Sequence, residues 1–366
     1  MPRILLLFIT LFSLTLPLYA NDEDDTLKKM IGRMLVVGFE DERIDENSTI
    51  VKEIQMYHLG GVILFDRFYT DKARVKNIRS PKQLQRLTQQ LQHFSPKPLL
   101  ISTDQEGGRV TRLKPRDGFD EIASASALSR QPLTYAKKAY EKMATMLATH
   151  GINCNFGPVV DLALNEKNSV IVGLERSYGK ESAVVSAYAQ TFIDALKEQG
   201  VISVLKHFPG HGSSLNDSHL GFVDVTKTWN ASELEPYRTL IASGHARMMM
   251  SAHVFNANLD KTYPATLSYA INTKLLREKM GYQGVLISDD LQMEAIARYY
   301  TLQETVTLAI NSGIDILLFG NQLSYTRTDE IVNTIFAQVK RGAIAKERII
   351  EANERIEALL SSKGTL

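Results

Sequence analysis

Eight continuous apolar runs, alternating with segments of helical pattern, restrict what this chain can fold into more than any other feature. The runs occupy residues 34–39, 61–65, 98–103, 152–160, 201–206, 247–252, 284–288 and 314–319. They are continuous rather than alternating, as parallel strands buried on both faces require. Helical patterns mark 81–94, 133–150, 181–198, 231–244, 268–280, 303–312, 325–341 and 346–362. Strand–helix alternation predicts right-handed βαβ units. Eight such units over this length predict an α/β fold of one domain, a (β/α)8 TIM-type barrel. A doubly wound open sheet is the alternative, but no glycine-rich phosphate fingerprint follows the first strand. Residues 70–81 are charged and are expected to form an exposed loop.

Composition narrows the setting. The 366 residues are 44% hydrophobic and 23% charged with a formal net charge of +1, a globular balance with no basic footprint for nucleic acid and no general pull toward anionic membranes. Residues 1–20 carry one charge, Arg3, then a nearly unbroken apolar stretch to Leu18 and a small residue, Ala20, before an acidic start. That is the pattern of a secretory signal peptide. A single membrane anchor is the alternative, but the apolar stretch is shorter than the roughly 20 residues a bilayer needs. The expected mature chain, 21–366, is therefore exported and periplasmic, without stable membrane insertion. Its one cysteine, Cys154, leaves no internal disulfide and reads as a buried, inert thiol.

Polar residues gather where the apolar runs end. Asp104 follows the third run, Asp161 the fourth, Lys206 and His207 close the fifth, His253 the sixth, and Asp289 and Asp290 the seventh. In a barrel these ends share one rim, where the chemistry occurs. The densest stretch is Lys206-His207-Phe208-Pro209-Gly210-His211-Gly212, with Asp217-Ser218-His219 shortly after. Asp217 and His219 read as a dyad in which the carboxylate fixes the imidazole tautomer and leaves the other nitrogen to shuttle protons. A zinc set of His207, His211, Asp217 and His219 is the rival, although Pro209 and Gly210 break the helical spacing a usual His pair needs. Asp289 suits a nucleophile or electrostatic stabiliser, while Asp290 suits the N-cap of a helix beginning near Gln292. Asp104 through Arg112 couples acidic and basic groups across a Gly-Gly turn, suited to sugar hydroxyls or to a structural ion pair.

Together the Asp104–Arg109, Arg176–Gly179, Lys206–Gly212, Asp217–His219 and Ser288–Leu291 motifs resemble the family 3 glycoside hydrolases, in particular bacterial β-N-acetylhexosaminidases. The resemblance covers about residues 26 to 360. It implies that Asp289 is the nucleophile, that His219 is the general acid/base oriented by Asp217, and that Asp104, Arg112, Arg176, Lys206 and His207 bind the sugar. Ser213 stands where the family commonly has Asp, and Gln292 where it commonly has a small residue. The expected function is exo-acting, retaining release of N-acetyl-β-glucosamine from peptidoglycan fragments, with a carbohydrate substrate, no nucleic acid, no cofactor or metal, and a monomeric state. A β-glucosidase or a glycosyl phosphorylase of the same family, a non-catalytic wall-binding protein and a zinc hydrolase remain as alternatives.

Overall fold

In the computed structural model, which describes residues 16–215 and 221–361, ten strands follow one another along the chain. They are β1 Leu35–Gly38, β2 Gly61–Ile63, β3 Leu100–Thr103, β4 Cys154–Asn155, β5 Ile202–Phe208, β6 Val223–Asp224, β7 Met248–Ser251, β8 Val254–Phe255, β9 Val285–Ser288 and β10 Leu317–Phe319. Eight form one sheet in the order β10-β1-β2-β3-β4-β5-β7-β9, every pairing parallel. Its two ends meet through a parallel bridge between Ile287 and Ile316, reinforced by the Ser288 N–H donating to the Ile316 carbonyl at 2.9 Å. The result is the predicted (β/α)8 barrel. Its strands are buried on both faces, inward against each other and outward against helices, which is why their sequences are apolar without alternation. The short pair β6–β8 stands apart from the barrel sheet.

All eight predicted runs contain a barrel strand, and the differences have physical causes. The fourth run shrinks to Cys154–Asn155, because Pro158 has no N–H to give the ladder, and pairing resumes only as a bridge between Val159 and Lys206. The fifth strand runs two residues further than expected, through Phe208. Helix prediction missed Thr49–Tyr57, the helix that follows β1, although its buried Ile50, Val51, Ile54 and Tyr57 have helical spacing. Lys346–Ser361, counted among the eight, is an addition beyond the barrel repeat and packs against the helices Leu16–Arg33 and Leu302–Ser312. The expected 231–244 helix divides into a 3-10 turn, Ala231–Leu234, and an α-helix from Glu235, where Pro236 can begin a helix but cannot continue one.

The expected exposed loop of 70–81 holds at residues 70–74, which are exposed, and is corrected at its middle. Lys76, Asn77 and Ile78 are fully buried. The Asn77 amide accepts from the Phe65 N–H at 3.0 Å and donates to the Phe39 and Asp41 carbonyls, stitching the ends of β1 and β2 together. No described helix is long and apolar enough to cross a membrane.

Candidate active site

The C-terminal ends of the strands converge on a cleft of about 490 Å³. Asp104 lies one residue past β3, Lys206 and His207 lie in β5, and Asp289 lies one residue past β9. The loop after β3 brings Arg112, and the long loop after β4 brings Arg176. All six line the cleft. Ile63, Phe156, Met250 and Leu318, side chains of the barrel interior, also line it and are almost wholly buried.

A continuous chain of charge pairs shapes one wall. Lys206 Nζ lies 2.9 Å from Asp104 Oδ1 and 2.7 Å from Glu106 Oε1. Glu106 accepts both arms of the Arg176 fork, at 2.8 Å each. Arg176 Nη2 lies 3.3 Å from His207 Nε2, and His207 Nδ1 lies 2.7 Å from Asp161 Oδ2. Arg112 Nη2 closes the other end, 3.1 Å from Asp104 Oδ2. Asp104 and Glu106 are two residues apart after a strand, the spacing that lets two carboxylates face the same cation. Burial alone would raise the Asp104 carboxyl, but the Lys206 and Arg112 charges overcome it and hold it far below the usual range. The Glu106 carboxyl is likewise lowered despite its burial, by Arg176 and Lys206. Burial would lower Lys206, yet Asp104 and Glu106 raise it. The wall therefore keeps fixed charges near neutral pH and presents oriented donors and acceptors of the kind that recognise hydroxyls. Arg112 Nε is buried with no hydrogen-bond partner among the described residues.

The turn after β5 is held from below. Asp161 Oδ1 accepts from the His207 and His211 N–H groups, at 3.3 and 2.8 Å. A Cβ at Gly212 would lie 1.7 Å from the Leu162 carbonyl oxygen, so the turn approaches the β4 loop as only glycine permits. The Gly212 N–H donates to Glu233 Oε2 at 3.1 Å. His211 Nδ1 pairs with Ser214 Oγ at 2.7 Å, and burial followed by the neighbouring His207 lowers its pKa to about 4. Asp217 and His219 lie outside the described residues. Among the described residues, no three His, Cys, Asp or Glu side chains are placed to hold a metal ion.

Asp289 and Asp290 divide differently from the sequence reading. The Asp289 N–H donates to the Ser251 carbonyl on β7, which fixes the residue against the neighbouring strand, and its Oδ1 accepts from the Asp290 N–H at 2.7 Å. Asp290 is not an N-cap. The helix begins at Glu294, with Met293 at the cap position, and Asp290 Oδ1 instead accepts from the Gln292 and Gly320 N–H groups at 3.1 Å each. The Gly320 bond ties the Asp289 turn to β10, a non-local demand that no local pattern reveals. His253 is buried as well, with Nε2 2.9 Å from the Asp290 carbonyl and Nδ1 2.8 Å from Thr266 Oγ1. Cys154 is fully buried in β4, and burial pushes its thiol far up, as its inert reading requires.

The chain as a whole resembles known proteins. Residues 26–359 match the glycosyl hydrolase family 3 N-terminal domain. The chain belongs to this family. The beta-hexosaminidase of Tolumonas auensis is 38% identical over 269 residues, covering 72% of this chain and 76% of that protein. A glycoside hydrolase family 3 beta-N-acetylglucosaminidase from Paenibacillus sp. superposes with a TM-score of 0.81 at 32% identity, over 91% of this chain but 62% of that one. The beta-N-acetylhexosaminidase of Beutenbergia cavernae gives a TM-score of 0.80 at 25% identity, over 91% of this chain and 97% of that one. This family 3 chain is a glycoside hydrolase. Glu106 is the site residue that sequence reasoning left without a role. Its signal lay in its place two residues beyond Asp104, but its partner Arg176 is 70 residues away.

Proposed function

We propose that this family 3 hydrolase is an exo-acting, retaining β-N-acetylhexosaminidase that releases terminal N-acetyl-β-glucosamine from peptidoglycan fragments. One observation carries the reading. Asp289 opens into the same cleft as the Asp104, Arg112, Arg176, Lys206 and His207 array. In this reading the array holds the hydroxyls of one terminal sugar, and apolar side chains of the barrel line the cleft around it. Asp289 attacks the anomeric carbon as the bond to the aglycone oxygen breaks. His219, oriented by Asp217, donates a proton to that oxygen and then takes one from the water that hydrolyses the glycosyl-enzyme. The leader pattern of residues 1–20 supports a periplasmic location, beside the wall from which such fragments come.

The test is turnover of 4-nitrophenyl N-acetyl-β-glucosaminide beside the matching β-glucoside. Selective turnover of the acetamido sugar is expected, and Asp289→Ala should lower kcat by about 10³-fold or more. Near-normal activity in that variant would overturn the assignment of Asp289. Preference for the glucoside would overturn the assignment of the sugar.

A further inference from the structure

The outer part of the cleft carries charges that recognition of one neutral sugar leaves unused. Arg67, Lys72, Lys114 and Arg116 line it, on loops that follow β2 and β3. Three of them have partners. Arg67 Nη2 lies 2.6 Å from Asp117, while Lys114 and Arg116 share Asp66 at 2.6 and 3.0 Å. Lys72 is exposed and makes no ion pair among the described residues. Its ammonium stands 4.3 Å from the Tyr69 ring centroid, and that ring also lines the cleft. With Arg112, five cations stand against three carboxylates, Asp66, Asp104 and Asp117. Burial lowers the Lys72 pKa, and the Arg112 and Lys114 charges repel its ammonium and lower it further, against the opposing pull of Asp66. An anion placed among them would relieve that repulsion. The wall is anchored as well as charged. Gln322 accepts from the Tyr69 N–H at 3.3 Å and donates to the Arg67 carbonyl at 3.0 Å, fastening the loop to the end of β10.

We propose that this wall is an aglycone subsite for a group bearing a carboxylate, which sits against Lys72, Lys114 and Arg116. The proposal rests on the reading of the inner cleft as the N-acetylglucosamine site, and it adds what that sugar is attached to. Charges at such a rim select and steer ligands more than they hold them, so the effect belongs in kcat/KM and in its salt dependence.

The experiment uses two aryl N-acetyl-β-glucosaminides of the same shape, one with a carboxylate and one with a carboxamide on the ring. Their kcat/KM ratio is compared between the unaltered enzyme and Lys72→Glu, because the change in that ratio cancels differences in leaving-group ability. The carboxylate-to-carboxamide ratio should fall about five-fold or more in the variant. Raising salt should lower the ratio in the unaltered enzyme. An unchanged melting temperature shows that the exposed substitution left the fold intact. Turnover of both substrates with a ratio indifferent to Lys72→Glu and to salt would overturn the subsite and leave the N-acetylglucosaminidase reading standing. No turnover of either substrate would overturn both.

Discussion

The Glu106–Arg176 pair shows how single residues acquire their part in the site. Both side chains are buried, so neither can exchange its partner for water. A buried guanidinium needs a planar acceptor, and Glu106 supplies one in bidentate form. Lys206 then bridges Glu106 to Asp104, so the cleft-lining Asp104 carboxylate is oriented by a residue on another strand. Arg176→Ala should destabilise the fold by about 3 kcal/mol, because it strands a buried carboxylate with one cation instead of two. Arg176→Lys should recover only part of this, since a point charge cannot make the fork. Urea denaturation measures both, and a loss below about 1 kcal/mol for the alanine variant would mean that water enters and solvates Glu106. Asp104, Lys206, His207 and Asp289 were legible from their positions at strand ends. Asp161 was legible in the same way, although its partner His207 is 46 residues away, whereas Glu106 drew its importance from a partner 70 residues away.

At the scale of elements, the turn after β5 rests on the short 3-10 helix Ala231–Leu234. Glu233 closes that helix's capping box with Asn230 and also receives the Gly212 N–H. Burial, assisted by the Asp161 charge, raises the Glu233 carboxyl to about 7. Beneath the same turn His211 is lowered to about 4 from its ordinary 6.5. The two groups oppose each other in pH. Glu233 binds its proton more tightly when folded, so its contribution is complete below about 4.5 and is lost as pH rises through about 7. His211 resists its proton when folded, so its contribution is complete above about 6.5 and is lost as pH falls toward about 4. Their slopes largely cancel between about pH 4.5 and 6.5. Removing the acid uncovers the base. In Glu233→Gln, stability should rise with pH across that window more steeply than in the unaltered protein, as followed by denaturation at several pH values. An unchanged slope would mean that Glu233 is already ionised in the folded chain there.

Across the whole molecule, the barrel closes at the end opposite the cleft through one carboxylate. Asp315, just before β10, is fully buried and meets Arg277 at 2.6 Å, Arg348 at 2.7 Å and Arg355 at 3.1 Å. Its Oδ2 also accepts the Leu286 N–H of β9 at 2.9 Å. One residue thus joins the last two barrel strands to the helices Ala270–Lys279 and Lys346–Ser361. Asp315→Asn should cost at least about 3 kcal/mol and lower the melting temperature, because it leaves three guanidinium groups around a neutral amide. A change within about 0.5 kcal/mol would mean that the three arginines relax to solvent. The order of strands and helices was written in the sequence, because continuous burial on two faces demands continuous apolar runs and these survive local variation. The strand-end positions of Asp104, Lys206, His207 and Asp289 were legible for the same reason, since the rim of a barrel is defined by where the apolar runs stop. Tertiary structure decided the rest. Asp290 became a tie to Gly320 instead of a helix cap, Lys76 and Asn77 sank from an expected surface loop into the interior, and Asp315 became the clasp. Each is a polar group whose partner lies far along the chain. Burial obliges such a group to find that partner, and only the folded chain brings the two together.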